Sequence, residues 1–351
     1  MAAVTEADAG PQASKRAPSM RAAFASRYGP PEVVSIRTVE RPTPTADEVL
    51  IRVRAASVNR ADLDGLKPKP GFLRLFMGIR RPRNPALGID AAGVVEAIGP
   101  EVTRFKPGDD VMTDLFAAGR AGAFAEYVCA RQKAFEPMPA GMSFEDAAAL
   151  PHSAVLALQG MRMRNGRTFR SGDRVLIDGA SGNVGPFAVQ IAKAMGAEVT
   201  GVASADKLDF VRSLGADHVI DYRTVDYTKA GERYDWIVAV DAHHPVRAVR
   251  RVLKPGGVYL TMGGTTRTMF GALGGNLVLS RFGDKWSGMM LWWKPMHRPD
   301  IETLKELISA GKLKPMIDRR YGLDHIVEAL RWVEDGRPRG KVVITFGHEA
   351  D

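Results

Sequence analysis

The hydrophobic rhythm of the chain divides it into three regimes. From Met20 to about Ala148, apolar runs are short and are cut by Gly and Pro. Val49-Leu50-Ile51-Arg52-Val53 is one such run, and Gly93-Val94-Val95-Glu96-Ala97-Ile98 is another, closed by Gly99-Pro100. Lys106-Pro107-Gly108-Asp109 reads as a turn before Val111. Closely spaced strands and turns predict a β-rich, partly barrel-like domain. A helix is expected to begin at Ser143, where Ser-Phe-Glu-Asp offers a capping box before Ala147-Ala148-Ala149-Leu150.

The second regime alternates strand and helix. Val175-Leu176-Ile177 is a short apolar strand, and Val184 to Met195 is a helix with Ala188, Ile191, Ala192 and Met195 on one face. Val199 to Val202, His218 to Ile220 and Trp236 to Val240 are further strands. Leu208 to Leu214, stopped by Gly215, and Pro245 to Leu253 are helices. Lys254-Pro255-Gly256-Gly257 is expected to turn into a strand from Val258 to Met262. This alternation predicts an α/β fold with a parallel, doubly wound sheet. In the third regime, Ile301 to Ala310 and Ile326 to Glu334 are helices, and Lys341 to Phe346 is a closing strand. The aromatic stretch from Trp286 to Trp293 fits core or a subunit interface, with an apolar substrate wall as the sharper alternative.

Composition narrows the class. The 351 residues are 45% hydrophobic and 25% charged, a globular profile long enough for two domains. No apolar run reaches the length of a membrane span, so neither a transmembrane helix nor a membrane partner is expected. Residues 1–19 read as a disordered extension without the features of a secretory signal. The one cysteine, Cys129, rules out an intramolecular disulfide and a cysteine zinc cluster. It reads as a small buried residue in a reducing, cytoplasmic protein. The net charge is +9. Its Arg clusters (Arg80, Arg81, Arg83; Arg162 to Arg170; Arg319, Arg320) are dispersed, which fits a solvated surface better than a nucleic-acid face.

The segment Asp178-Gly179-Ala180-Ser181-Gly182-Asn183-Val184-Gly185 follows a strand and opens a helix. Ala180-x-Gly182-x-x-Gly185 matches the dinucleotide fingerprint. Gly182 would admit a pyrophosphate, and Gly185 would let helix and strand pack closely. The helix N-terminus would supply N–H groups to the phosphates. At the end of the next strand, an NAD site carries an acid for the ribose hydroxyls; here that position is Ala203. Ser204 and Lys207 instead suit a 2′-phosphate, so NADP(H) is the expected cofactor. Asp206 competes with that reading, although a capping or dipole role in the next helix is its simpler explanation.

The glycine turn, Leu214-Gly-Ala-Asp-His-Val-Ile-Asp-Tyr222 and Lys254-Pro-Gly-Gly257 resemble the medium-chain dehydrogenase/reductase superfamily. Tyr28-Gly-Pro-Pro-Glu32, Ala56-Ser-Val-Asn-Arg-Ala-Asp62, Gly122-Ala-Phe-Ala-Glu-Tyr127 and Gly340-Lys-Val-Val343 are similar to its zinc-independent quinone oxidoreductase (zeta-crystallin-like) branch. The resemblance implies a GroES-like catalytic domain from residues 20–148 and 298–351, around a Rossmann NADP(H)-binding domain at 149–297. It places Asn59 near the nicotinamide or its ribose, Lys207 and Tyr222 at the 2′-phosphate, Gly263 and Gly264 close to the nicotinamide, and Lys341 near the cofactor. Family habit adds a homodimer.

Zinc-dependent relatives hold their metal with a Cys near the position of Asn59 and a His-Glu pair after a Gly. This chain has Asn59-Arg60-Ala61-Asp62 and Gly88-Ile89-Asp90 there, a poor donor set for zinc. His243 and His244 are adjacent and point apart, so no metal is expected. Without a Lewis acid, quinones and α,β-unsaturated carbonyls are easier acceptors than isolated carbonyls, because conjugation spreads the incoming electron pair. The expected substrate is such a small molecule. The final proton would come from water or from His152, for which a structural role is the alternative. Two other readings stay open. One is a low-turnover NADPH-binding, crystallin-like protein, with RNA binding kept in view by the basic charge. The other is an alcohol dehydrogenase, against which the missing zinc ligands speak.

Overall fold

The computed structural model describes residues 18–68, 71, 74–277 and 283–347. The expected N-terminal extension lies outside them except for Pro18 and Ser19, and Ser19 already opens the first strand. Strands β1 (Ser19–Ala25) and β2 (Val34–Glu40) pair antiparallel. β3 (Glu48–Val58) runs into helix α1 (Arg60–Leu66), followed by the short α2 (Arg74–Met77). β4 (Asp90–Ile98), β5 (Asp110–Asp114), β6 (Tyr127–Arg131) and β7 (Phe135–Pro137) complete the strand-rich part.

Helices α3 (Phe144–Ala149) and α4 (Pro151–Gly160) lead out of it. The Ser143 hydroxyl caps α3 by accepting from the Asp146 N–H, but the Asp146 carboxylate returns to that hydroxyl rather than to the Ser143 backbone. Pro151 opens α4, where its missing N–H leaves no bond unmade.

Strands and helices then alternate through β8 (Arg174–Asp178), α5 (Gly185–Ala194), β9 (Glu198–Ala203), α6 (Leu208–Ser213), β10 (His218–Asp221), β11 (Tyr234–Ala239), α7 (Val246–Arg251), β12 (Leu253–Thr261), α8 (Thr266–Leu277) and β13 (Trp286–Met289). All neighbours in the sheet are parallel, in the order β10-β9-β8-β11-β12-β13, that of a doubly wound dinucleotide-binding sheet. Val175, Leu176 and Ile177 are fully buried because helices cover both faces. Lys254-Pro-Gly-Gly257 does not precede its strand, as the Gly and Pro content suggests. β12 already pairs at Leu253, and the register shift between Tyr234 and Trp236 absorbs the segment as a bulge, with Gly256 at φ +71. Trp286 to Met289, read as core or interface, is the sixth strand of this sheet.

The chain then returns through α9 (Arg298–Ser309), β14 (Ile317–Gly322), α10 (Ile326–Glu334) and β15 (Lys341–Thr345). β15 inserts between β14 and β3, giving a sheet of order β14-β15-β3-β4-β5-β7, with β6 also on β3. The closing strand therefore lies beside the N-terminal part, GroES-like in architecture, and carries Lys341 to the end of β3.

Candidate active site

The strand order of the parallel sheet reverses between β8 and β11, and ligands of such sheets bind outside the strand ends at this point. The glycine-rich turn sits there. Gly179 takes φ +88, open to glycine at little cost. A Cβ on Gly185 would lie 2.2 Å from the Gly179 carbonyl oxygen, so α5 packs on the turn only with glycine here. A Cβ on Gly182 would meet no protein atom closer than 4.0 Å. Gly182 thus leaves open the space a phosphate needs, and the turn fits a dinucleotide. Ala180 is fully buried against Gly201, which explains why a methyl is tolerated at the first motif position. The turn is tied to the other sheet twice. Asn183 Nδ2 donates to the Val58 carbonyl (2.9 Å), and the Gly340 N–H donates to the Ser181 carbonyl (3.0 Å). Val184 is buried at the start of α5.

Beside the ends of β9 and β10 opens a cavity of about 560 Å³. The structure brings Ser204, Lys207 and Tyr222 together in its wall, with Asp206. It adds four cations that the sequence analysis did not assign to this site: Arg223, Arg319, Arg337 and Arg339. Three of these come from β14 and the turn before β15, more than 100 residues from Lys207, so only Arg223, next to Tyr222, was within reach of sequence reading. Lys207 is more committed than its sequence position implies. Its Nζ donates to the carbonyls of Gly336 (2.6 Å) and Pro338 (3.0 Å), and burial holds its pKa below the ordinary lysine range. It shapes the arginine-bearing turn and keeps one N–H for a ligand. Arg339 donates to the Asp206 carbonyl (2.8 Å).

A second constellation is sealed. Antiparallel pairing sets Ser57 opposite Asp90 and Asp90 opposite Asp114, while Val342 pairs with Val58. Lys341 and Asn59, one residue beyond that last pair, meet at the end of the row. Lys341 is fully buried, and its Nζ donates to Asn59 Oδ1 (2.6 Å) and Ser153 Oγ (3.0 Å), with Asp90 Oδ2 at 3.6 Å. Asn59 Nδ2 donates to Asp90 Oδ2 (2.9 Å), as does the Ser57 hydroxyl (3.1 Å). The Asn59 N–H donates to Asp62 Oδ2 (2.7 Å) and starts α1. Burial pushes the Asp62 carboxyl up to about 7 and raises Asp90 as well, against the pull of Lys341. Burial also drives Lys341 below the lysine range.

At the start of α4, the His152 N–H donates to Asp90 Oδ1 (3.1 Å), and His152 Nδ1 lies 3.1 Å from Asp114 Oδ2. Burial disfavours the imidazolium, but the hydrogen bond to Asp114 and the charges of Asp114 and Asp90 outweigh it, so His152 titrates above the ordinary range. Its ring contacts Trp293 (centroids 5.0 Å) and Phe116 (5.7 Å), and these two touch each other edge to face. Trp293 Nε1 is buried with no hydrogen-bond partner among the described residues. Sequence reading named His152 and, as an alternative, this aromatic wall, but not Asp114 or Phe116, which lie on β5 and just after it. Gly263 and Gly264 follow β12, where their reason is local. Gly263 accepts from the Ala242 N–H, and a Cβ on Gly264 would come within 2.3 Å of the Ala242 carbonyl oxygen.

Asn59 and Asp90 stand where the resemblance put the metal ligands of zinc-dependent dehydrogenases. The Asp90 carboxylate is taken up by Asn59, Ser57 and the Lys341 cation, and among the described residues no group of three or more His, Cys, Asp or Glu is placed to hold one.

Comparison with known proteins agrees with this architecture. The family model described as "Alcohol dehydrogenase GroES-like domain" matches residues 45–140, and that described as "Zinc-binding dehydrogenase" matches 214–344. A mitochondrial NAD(P)H oxidoreductase of Bos taurus is 32% identical over 85% of this chain and 81% of its own. A 2-methylene-furan-3-one reductase of Solanum lycopersicum is 30% identical over 93% of this chain and 79% of its own. The solved quinone oxidoreductase of Coxiella burnetii superposes with a TM-score of 0.82 at 27% identity, over 94% of this chain and all of that one.

Proposed function

Because the chain belongs to the medium-chain dehydrogenase/reductase superfamily, in its quinone oxidoreductase branch, we propose that this nicotinamide-dependent oxidoreductase uses NADPH to reduce conjugated acceptors, quinones or α,β-unsaturated carbonyls, without zinc. The observation that carries the reading is His152. Asp114 holds it, its ring packs against Phe116 and Trp293, and its backbone N–H bonds the Asp90 carboxylate that Lys341 faces.

Bound along the glycine-rich turn, the cofactor would supply hydride to the acceptor. The Gly182 opening and the first turn of α5 would take its pyrophosphate. The arginine-lined cavity favours a 2′-phosphate, since five cations face three carboxylates there and no acid stands at Ala203. Asn59, fixed by Lys341 and Asp90, positions the end of β3 against the turn. Phe116 and Trp293, packed edge to face beside His152, offer apolar surface that would exclude water from a planar acceptor. Asp114 orients the His152 ring through Nδ1, leaving Nε2–H of the imidazolium to donate a proton to the oxygen that gains charge. The Asp114 hydrogen bond and the charges of Asp114 and Asp90 hold that proton to higher pH than on an ordinary imidazole.

The test is an acceptor panel. Purified protein should consume NADPH faster than NADH, with quinones or enones and not with simple aldehydes. Turnover confined to simple alcohols, and restored by zinc after chelation, would sink the reading. Tight NADPH binding without turnover across the panel would point to a binding role instead.

A further inference from the structure

From Gly65 to Ile89 the sequence carries six Lys and Arg residues and no Asp or Glu. The total charge of the chain is dispersed, but this stretch is not balanced. The structure adds what the charge count could not show: the segment turns aliphatic side chains outward. Leu75 is 60% exposed and Ile79 is 68% exposed, with Met77 beside them at 38%. Arg74, Arg80, Arg81 and Arg83 are exposed among them. Arg74 lies over the Tyr28 ring, and Arg80, Arg81 and Arg83 form no ion pair among the described residues.

We propose that the face formed by residues 74–83 docks the protein on an anionic phospholipid bilayer. Exposed Leu, Met and Ile tips cost free energy in water and gain it in the acyl boundary of a bilayer. Interleaved arginines would sit at the headgroups, where each basic residue adds attraction. The same mixture argues against other occupants. A second copy of this face would bring two unbalanced cationic segments together. A nucleic acid would use the cations but has no place for three aliphatic tips, and single strands are held by stacking aromatics. Among the described residues no helix is long and apolar enough to cross a membrane, so the contact is peripheral. Absence of a spanning run made a membrane partner unexpected, but it bears only on spanning. Docking stands whatever the acceptor is.

The test is sedimentation of the full chain with lipid vesicles in about 0.1 M KCl, where screening leaves only contacts within about 10 Å. Vesicles of phosphatidylglycerol with phosphatidylcholine should carry the protein down, and pure phosphatidylcholine should not. Arg80→Glu/Arg81→Glu should lower the partition coefficient at least about 20-fold, since each basic residue contributes about fivefold. Leu75→Ser/Ile79→Ser should lower it about tenfold, as expected for two aliphatic side chains partly withdrawn from water. Arg247→Glu/Arg251→Glu, an equal charge change on α7, should leave it nearly unchanged; thermal melting confirms that each variant is folded. Failure to bind anionic vesicles, or an equal loss in the α7 variant, overturns the proposal. So does binding indifferent to Leu75 and Ile79, which would mean adsorption by net charge alone.

Discussion

The cavity beside β9 and the network at the end of β3 are made of opposite materials. Beside β9 the cavity is open, its arginines are exposed, and Tyr222 is 55% exposed. Beside β3, Asn59, Asp90, Ser153 and Lys341 are sealed, and each is bonded to another. The materials suit different tasks. Exposed arginines can favour one ligand charge over another, but solvent and salt screen them and their long side chains do not fix a geometry. A buried network fixes geometry, but its cation and carboxylates already balance one another, so it offers a ligand little net charge. On the proposed reading, selection of the cofactor and alignment of the reaction are therefore separate functions, and substitutions should separate them.

The largest effect is expected at Lys341. Lys341→Met would leave Asp90 buried and uncompensated, at a cost of about 3–5 kcal/mol in unfolding experiments. Adding Asp90→Asn should recover part of that loss. If the double variant is as unstable as the sum of the singles, the pair is not coupled and the network is not the unit described here. Asp62 gives a milder, pH-dependent version. Its carboxyl holds a proton more tightly when folded, near 7, than its ordinary value of 3.8 allows in the unfolded chain. The unfolded chain therefore releases that proton first as pH rises, and wild-type stability falls between those values. Asp62→Asn keeps an acceptor for the Asn59 N–H and has no proton to lose. Its advantage over the wild type should grow across that window by at most about 4 kcal/mol and stay level above it. An advantage that does not change with pH would show that Asp62 ionises freely.

The sealed end was the less legible in the sequence, for a physical reason. The parallel sheet is built from local units, each an apolar run followed by a helical face, so β8, α5 and β9 could be read within 30 residues of chain. The glycine turn and Ala203 to Lys207 lie within those units. The network joins Ser57, Asn59, Asp90, Asp114, His152 and Lys341 through antiparallel register, which depends on pairing across up to 282 residues. Sequence could name Asn59, His152 and Lys341 through family resemblance, and Asp90 as a poor zinc donor, but not that Asp90 is the partner the other three share. The arginines of the open cavity were hidden in the same way, since β14 carries Arg319 and the turn after α10 carries Arg337 and Arg339.

His152 lies where the sealed network meets the acceptor side. His152→Gln keeps a polar side chain and removes the titrating proton, so turnover with the best acceptor should fall about a hundredfold while NADPH affinity holds. In the wild type, activity should decline as pH rises through the His152 pKa, and Asp114→Asn should move that decline to lower pH by removing the partner that stabilises the imidazolium. A His152→Gln enzyme within threefold of the wild type would assign the proton to water and leave the His152–Asp114 pair a structural role.

The smallest effect should fall at the open end, and it distinguishes a cation that meets the ligand from one that builds the wall. Arg339→Ala removes an exposed guanidinium and should weaken NADPH about 20-fold, the scale of one charge-assisted hydrogen bond, with NADH unchanged and the melting temperature intact. Lys207→Ala also removes a charge, but it frees the carbonyls of Gly336 and Pro338 from their shared donor. NADPH binding should weaken much more than NADH binding, and stability should fall as well, because the turn carrying Arg337 and Arg339 loses its anchor. Calorimetric titration with both cofactors, paired with thermal melting, reads the two quantities independently. If Lys207→Ala weakens NADPH and NADH equally, the cavity beside β9 does not discriminate the 2′-phosphate. If it weakens only NADPH and melts like the wild type, Lys207 meets the phosphate directly and its bonds to the turn are incidental.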